Sequence, residues 1–355
     1  MIKYIGSKRK LLPGILEAIE GAGDVRTVLD VFSGTSRVGH ALKAKGIRVI
    51  ANDHNAYAHV LATCYVQADA EDVLEPARRV LDELSRLPGR PGFFTETFCE
   101  RSRYVHPRNG ERIDAIRDRI EAMGLEPELK AVVLTSLIEA ADRVDSTTGV
   151  QMAFLKEWAP RAANHLELRM PRVLARAAHG KGEAHRLDAL DVAARFEVDV
   201  AYLDPPYNQH SYLGNYHVWE TLALWDRPGV YGAACKREDC RERRSEFNSR
   251  PKIAEALRRL LERMRARVIV LSFSDEGYIG RSELESLLGE LGQVRVVEQA
   301  YPRYVGAKIG IHNRAGQRVG RVSHISNTEF LFVVGRTQAD SRLSASIATN
   351  ARPIA

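Results

Sequence analysis

The chain has 355 residues and a mass of 39.7 kDa, with 45% hydrophobic and 28% charged residues. These proportions are typical of a globular protein and exclude a wholly disordered, collagenous or disulfide-stapled chain. The length predicts one α/β domain that carries an insertion. The net charge of +6 agrees with a polyanionic partner but does not identify one, because many unrelated proteins are mildly basic.

The beginning of the chain is basic, but no apolar segment follows it. No run of about 18 apolar residues occurs anywhere, so we expect neither a signal peptide nor a membrane span. The four cysteines have no histidine pair at zinc spacing, and we interpret them as reduced thiols of a cytoplasmic protein with no metal site. They are Cys64, Cys99, Cys235 and Cys240.

The first regular pattern is strand, helix, strand. Residues 27–32 are an apolar run that stops at a turn containing glycine. Residues 36–45 have helical spacing, and residues 47–52 form a second apolar run. This order predicts a βαβ unit, whose ligand crevice lies at the carboxyl ends of the strands.

A long interruption follows, in which helical spacing and polar loops replace the strand pattern. We expect a mostly helical insertion over residues 64–181 between two parts of one catalytic domain, residues 1–63 and 182–335, with a disordered tail over residues 336–355. The predicted helices of the insertion cover residues 72–86, 110–123, 128–144 and 164–178. Strands are predicted at residues 185–188, 198–203, 268–273, 294–300 and 329–334, with helices at 212–224 and 252–265.

The segment 202–207 reads Tyr-Leu-Asp-Pro-Pro-Tyr and ends an apolar strand. Pro205 and Pro206 stop the strand pairing and leave backbone carbonyls without a regular partner. Asp204 and one such carbonyl can accept hydrogen bonds from the two hydrogens of an amine on a planar ring, while Tyr207 can stack on the face of that ring. The alternative interpretation is a capped strand end with a buried tyrosine.

An acidic side chain at the end of the second strand can accept hydrogen bonds from the two ribose hydroxyls of an adenosine-type cofactor. Asp53 has this place, 23 positions after Asp30. The sequence lacks both Gly-x-Gly-x-x-Gly and a phosphate loop, so a cofactor with ribose and no phosphate, S-adenosylmethionine, is favoured. A helix cap is the alternative interpretation of Ser36 and Asp53.

Four segments in order resemble the Dam-like (DpnII-type, alpha-class) site-specific DNA adenine-N6 methyltransferases. They are Lys-Tyr-Ile-Gly-Ser-Lys at 3–8, the glycine motif at 30–39, Asn-Asp at 52–53 and Asp-Pro-Pro-Tyr at 204–207. The resemblance implies a Rossmann-like S-adenosylmethionine-dependent methyltransferase sheet with a target-recognition insertion. It also implies a cytoplasmic enzyme of a bacterial or archaeal cell, associated with its nucleoid through DNA.

The resemblance assigns the cofactor to residues near the strand ends. Tyr4 and Lys8 would line its methionine and adenine side, and Asp53 would bind ribose. Asp188 would accept a hydrogen bond from the adenine, although Asp191 could serve instead and a helix cap is an equal alternative. The remaining assigned contacts, mostly around the methionyl part, are Asp30, Phe32, Ser33, Gly34, Thr35 and Asp204.

The implied reaction is direct displacement at the exocyclic N6 of a flipped adenine, without a metal or a covalent intermediate. Asp204 and the Pro205 carbonyl would hold the amine, and Tyr207 would stack on the base. Tyr212, Asn215, Tyr216 and His217 are predicted walls of its pocket, whereas Trp219 and Leu222 have the helical spacing of core residues.

The implied partner is double-stranded DNA. The basic loop 236–250 suits a phosphate backbone, although a solvated loop explains it nearly as well. Segments 101–112, 145–161 and 303–322 are candidates for reading bases. The sequence leaves open whether a cognate restriction endonuclease accompanies the enzyme. The rival functions are methylation of cytosine in DNA or of adenine in RNA, and a catalytically degenerate DNA-binding module.

Overall fold

The computed structural model describes residues 1–302, 311–312, 318–320 and 326–335. The predicted tail over residues 336–355 and most of the candidate segment 303–322 lie outside the described residues. The chain forms two compact units. The first comprises Met1–Ser7, Ser33–Asp188 and His210–Ser245, and the second comprises Lys8–Phe32, Ala189–Gln209 and the described residues from Glu246 onward.

Helices and strands alternate over much of the chain. The helices in chain order are α1 (Leu12–Glu20), α2 (Arg37–Ala44), α3 (Ala56–Ala62), α4 (Ala70–Ser85), α5 (Pro107–Ala122), α6 (Pro127–Arg143), α7 (Ala189–Arg195), α8 (Tyr212–Asn215), α9 (His217–Leu224), α10 (Ile253–Arg263) and α11 (Arg281–Gly289). The strands are β1 (Thr27–Asp30), β2 (Arg48–Asn52), β3 (Glu183–His185), β4 (Glu197–Leu203), β5 (Val230–Tyr231), β6 (Lys236–Arg237), β7 (Arg265–Ser274), β8 (Gln293–Pro302), β9 (Ile311–His312), β10 (Arg318–Gly320) and β11 (Ser326–Gly335). No helix in the described part of the chain is long and apolar enough to cross a membrane.

The sheet of the second unit has the strand order β1-β4-β7-β11-β8. The pairs β1 with β4 and β4 with β7 are parallel, whereas β11 runs antiparallel to β7 and to β8. The ends of β1 and β4 therefore lie at the same edge, with Asp30 opposite Tyr202. On α10, residues 253, 256, 257, 260 and 261 are buried, which is the stripe of a helix with one apolar face.

The first unit combines a parallel pair, β2 with β3, with a helical core. Helices α3, α4, α5, α6 and α9 pack around large aromatic side chains that are almost completely buried. Trp219 and Leu222 belong to this core, as their spacing predicts. The α/β class is thus confirmed, with parallel pairing of β1 with β4, β2 with β3 and β4 with β7, and antiparallel pairing of β11 with β7 and β8.

Helices α4, α5 and α6 confirm three of the predicted insertion helices, but the helix predicted over residues 164–178 is wrong. Its backbone groups bind other elements instead of one another. The Leu166 amide donates to Asn109 at 3.0 Å, and the Leu174 carbonyl accepts from the Ala70 amide at 2.9 Å. Pro171 cannot donate a helical hydrogen bond either. Buried Leu166 and Val173 mimic helical spacing in an extended segment.

Arg117 is a fully buried cation that closes the end of α9. Its Nε donates to the Leu222 carbonyl at 2.6 Å and its Nη2 to the Ala223 carbonyl at 3.3 Å. Carbonyls at the end of a helix have no partner inside it, so a side chain must satisfy them where water is excluded.

We expect Arg117→Ala to lower the free energy of unfolding by about 3 kcal/mol or more. The substitution leaves buried carbonyls without a hydrogen-bond donor and removes a packed side chain. Urea denaturation followed by circular dichroism measures the loss. Arg119→Ala is the control, since Arg119 on the same helix is exposed and forms a surface pair with Glu83; it should cost less than about 1 kcal/mol. Equal losses would contradict the interpretation.

Candidate functional site

The predicted tetrapeptide lies directly after a buried parallel strand. β4 pairs with β7 up to Leu203, opposite Leu271, and residues 204–207 have no regular structure. The strand is held by apolar packing on both faces, as in buried parallel sheets. The prolines end it at a defined point, so the side chain of Asp204 leaves the sheet from a rigid edge.

Asp204 is one member of a charged cluster in the second unit, which we call the acid cluster: Lys8, Asp204 and Glu329. The Nζ of Lys8 lies 3.0 Å from Oδ1 of Asp204 and 3.5 Å from Oε2 of Glu329. Lys8 comes from a turn before α1, and Glu329 comes from β11. Lys8 and Glu329 are buried, while the side chain of Asp204 keeps 20% of its surface exposed.

Burial raises the pKa of Asp204 to about 6, although the ammonium of Lys8 opposes this shift. Burial alone would lower the pKa of Lys8, but the carboxylates of Asp204 and Glu329 outweigh it and raise that pKa well above its usual value. At pH 8 the cluster therefore holds a charged lysine and an ionised Asp204.

The ring of Tyr207 packs against Phe273 of β7, with the ring centroids 5.4 Å apart. The Tyr207 carbonyl accepts a hydrogen bond from the Tyr278 amide at 2.8 Å. Burial raises the pKa of the Tyr207 hydroxyl, which is neutral at physiological pH. Tyr207 is only partly buried, so part of its surface is open for stacking.

Four aromatic side chains of the first unit form what we call the tyrosine cluster: Tyr4, Tyr57, Tyr212 and Tyr216. The ring of Tyr4 stacks on Tyr216 at 4.6 Å and on Tyr212 at 5.2 Å. Its hydroxyl lies 3.1 Å from that of Tyr57. The Ile5 amide donates to the Tyr216 hydroxyl at 2.6 Å. These contacts fix the segment that carries Tyr4.

The glycine turn of residues 33–36 is bound to the end of β2. The Ser33 amide donates to the Asn52 carbonyl at 2.8 Å, and the Gly34 amide donates to Oδ2 of Asp53 at 3.0 Å. Gly34 has a φ of +51°, and a β-carbon there would lie 3.3 Å from the ring of Tyr4. A side chain at this position would therefore be strained and crowded.

Asp53 is a turn anchor and not a helix cap. Its Oδ1 accepts from the Asn55 amide at 2.9 Å, and the cap residue of α3 is Asn55 itself. Burial raises the pKa of Asp53 to about 6, opposed by these backbone hydrogen bonds. Ser36 is the N-cap residue of α2, with a φ of 56° and no side-chain capping bond, so the cap interpretation is right for the position of Ser36 and wrong for Asp53.

The other residues assigned to the cofactor occupy different settings. Asp30 is buried at the end of β1, and Phe32 packs edge-on against Phe247 in the second unit. Ser33 and Thr35 are buried in the first unit. Asp188 is exposed after β3, and Asp191 is exposed in the first turn of α7.

Three of the predicted walls of the base pocket are core residues. Asn215, Tyr216 and His217 are each at most 3% exposed. The Nε2 of His217 contacts the Gln151 carbonyl at 3.0 Å, and burial lowers the pKa of His217 to about 3. Their prediction as pocket walls is wrong because they pack inside the first unit; Tyr212 remains partly exposed.

Two arginines of the basic loop 236–250 form ion pairs with acidic side chains of the first unit. Arg237 is buried and forms a two-pronged ion pair with Asp226 at 2.7 and 2.6 Å. Arg243 lies 2.9 Å from Glu220, also in the first unit. Because both arginines are paired with acidic side chains, they hold the loop in place. Two of the cations proposed to contact phosphates are therefore already neutralised within the first unit.

The segment 145–161 buries part of the polar side chains predicted to read bases, whereas Thr148, Lys156 and Glu157 are exposed. Ser146, Thr147 and Gln151 are at most 2% exposed. Nearby, the guanidinium of Arg103 lies 4.6 Å from the ring centroid of Trp158. All four cysteines are free. Among the described residues, no group of three or more His, Cys, Asp or Glu side chains is placed to hold a metal ion.

Glu329 and Tyr57 are the notable residues that the sequence did not single out. Glu329 begins an apolar stretch of a predicted strand, which is typical of a solvated strand end. Tyr57 follows Asp53 in a segment without a motif. The ammonium of Lys8 lies against Asp204, which is itself one of the residues assigned to the cofactor.

Comparison with known proteins agrees with the motifs. The family described as "D12 class N6 adenine-specific DNA methyltransferase" matches residues 4–278. The type II methyltransferase M.NlaIII of Neisseria lactamica is 29% identical over 341 residues, which cover 93% of this chain and 100% of that protein.

Two longer relatives match over part of their length. The type II methyltransferase M.FokI of Planomicrobium okeanokoites is 31% identical over 326 residues, covering 85% of this chain and 50% of that protein. The modification methylase StsI of Streptococcus sanguinis is 28% identical over 322 residues, covering 85% and 49%. The chain thus spans about half the length of these two relatives.

Lys8→Met removes the cation from the acid cluster and leaves two buried carboxylates facing each other. We expect a loss of about 3 kcal/mol or more in the free energy of unfolding at pH 8. The loss should shrink at pH 5, because burial raises the pKa of Asp204 to about 6, so that this carboxyl then binds a proton more readily in the folded than in the unfolded chain.

Urea denaturation at the two pH values measures this difference. Arg9→Met is the matched control, since Arg9 is the exposed neighbour of Lys8, and it should change stability little at either pH. A loss in Lys8→Met that is the same at pH 5 and pH 8 would show that the ammonium does not neutralise the carboxylates.

Proposed function

Since the chain belongs to the D12 class of N6 adenine-specific DNA methyltransferases, we propose that it methylates N6 of adenine at a specific sequence in double-stranded DNA. The observation that carries the proposal is Asp204-Pro-Pro-Tyr207 at the end of a buried parallel strand, with the acid paired to a buried lysine. The order of the motifs favours the Dam-like alpha class. The names of the relatives favour a role in restriction and modification.

The amine of adenine attacks poorly, because its lone pair is delocalised into the purine. Asp204 and the Pro205 carbonyl accept its two hydrogens and localise that pair on nitrogen. S-adenosylmethionine, when bound, supplies an electrophilic methyl group. The proton becomes acidic only as the nitrogen gains positive charge, so Asp204 can accept it as an ordinary ionised carboxylate. In this proposal the step needs no metal.

The residues predicted to hold S-adenosylmethionine have suitable chemistry. Tyr4 contributes an aromatic ring, and Gly34 keeps the space beside it free of a side chain. Each oxygen of Asp53 retains accepting capacity beyond its backbone bonds, which suits ribose hydroxyls. The other proposed contacts are Asp30, Phe32, Ser33, Thr35, Asp188 and Asp204. Lys8 is also proposed to line the cofactor pocket, beside Asp204.

Adenine inside a duplex cannot reach Asp204, so the base must be flipped out, with Tyr207 stacking on its face. We propose that the insertion, residues 64–181, carries target recognition. Arg103 and Trp158 combine a cation and an aromatic face there, which suits contact with nucleic acid. We propose that the enzyme acts on DNA in the cytoplasm, and a cognate restriction endonuclease is the partner that the names of the type II relatives suggest.

Asp204→Asn is expected to lower kcat for methyl transfer to DNA by about a thousandfold, because the amide cannot take the proton and offers a weaker acceptor. Incorporation of labelled methyl groups into DNA measures this. Asp24→Asn is the control, since Asp24 is 71% exposed and pairs with Arg26; its activity should equal that of the wild type. Full activity in Asp204→Asn, with a normal melting curve, would refute the catalytic role.

Tyr207→Phe and Tyr207→Ala separate stacking from hydrogen bonding. The phenylalanine keeps the aromatic face, so kcat/KM on DNA should stay within about threefold of the wild type. The alanine removes a stack worth roughly 1–3 kcal/mol and should lower kcat/KM by about 10- to 100-fold. Equal effects of the two substitutions would mean that Tyr207 does not act through its face.

A further inference from the structure

The acid cluster contains one carboxylate more than the reaction uses. One ammonium, that of Lys8, faces the carboxylates of Asp204 and Glu329. With all three groups ionised the cluster has a formal charge of −1. A buried charge without a full counter-charge is unfavourable, and a cluster that only stabilised the fold would need one carboxylate.

We propose that Glu329 is a positioning residue for methyl transfer, which shares the ammonium of Lys8 and so leaves negative charge on Asp204 for the target amine. This inference rests on the proposed function, because it assigns Glu329 a part in the same reaction. Glu329 acts through Lys8 and does not itself touch the substrate.

The geometry separates the two carboxylates by role. Asp204 is nearer to the ammonium, at 3.0 Å against 3.5 Å, and its side chain is 20% exposed. Glu329 lies within the sheet and is 9% exposed by its side chain. Asp204 is therefore the carboxylate that an incoming amine can reach. Glu329 shares the ammonium of Lys8 and so determines how much negative charge remains on Asp204.

Few other groups titrate around the cluster. Opposite Glu329 in the sheet are Ser274 on β7 and Gln299 on β8, which are neutral. Tyr202 of β4 and Tyr207 interact with Lys8, and burial raises the pKa of both hydroxyls.

Asp30 of β1 also raises the pKa of Tyr202. Asp204, whose pKa burial raises to about 6, therefore changes charge beside Lys8 in the working pH range.

Removing the charge of Glu329 has two linked consequences. A like charge nearby raises the pKa of Asp204, so its loss lowers that pKa. The ammonium of Lys8 then belongs to Asp204 alone, which makes Asp204 a weaker acceptor for the amine. Glu329→Gln should therefore lower kcat on its alkaline plateau and also move the acid limb of the pH profile to lower pH.

The test combines kinetics with a direct titration. The pH dependence of kcat is measured for the wild type, Glu329→Gln and Glu329→Asp, and the carboxyl of Asp204 is titrated by ¹³C NMR of labelled aspartate, with its signal assigned by Asp204→Asn. We expect Glu329→Gln to show both shifts to lower pH and an approximately tenfold lower plateau, and Glu329→Asp to restore the wild-type limb.

Glu298→Gln is the matched control, because Glu298 is exposed on the neighbouring strand β8 and pairs with Arg281; it should match the wild type. If Glu329→Gln moves neither the NMR titration nor the acid limb, the inference is wrong, even if its activity falls. Because the NMR titration needs no turnover, a wild type without methyl transfer would refute the proposed function separately.

Discussion

The ammonium of Lys8, buried between Asp204 and Glu329, is the interaction on which the second unit depends. A buried cation needs a partner held at a fixed distance, and here the partners come from the end of β4 and from β11. Parallel pairing of β4 with β7, and antiparallel pairing of β7 with β11, bring these residues to the same edge. The order of the strands is thus what makes the acid cluster possible.

Local pattern predicts the parts of the molecule that depend on neighbours in sequence. The tetrapeptide at 204–207, the strand before it and helices α4 to α6 follow from apolar spacing and from two prolines. The pairing of Lys8 with Glu329 does not follow from local pattern, because 321 positions separate the two residues. A glutamate at the start of an apolar strand resembles a solvated end until its partner strand is known.

The wrong predictions have a common cause: the spacing of residues in the sequence does not show which polar and backbone groups are buried. Residues 164–178 carry apolar side chains at helical intervals, yet their backbone binds α4 and α5. Asn215, Tyr216 and His217 resemble pocket walls because they are polar or aromatic, but all three are buried, and the side chains of Tyr216 and His217 form hydrogen bonds within the first unit. Polar side chains near a motif therefore divide between substrate contacts and internal hydrogen bonds, and only the fold distinguishes them.

The identity of the methylated base tests the central claim most directly. DNA incubated with the enzyme and S-adenosylmethionine labelled on its methyl group would be digested to nucleosides and separated by chromatography with mass spectrometry. The account predicts that the label appears in N6-methyldeoxyadenosine at one sequence context. Label in N4-methyldeoxycytidine, or transfer to RNA and not to DNA, would contradict it.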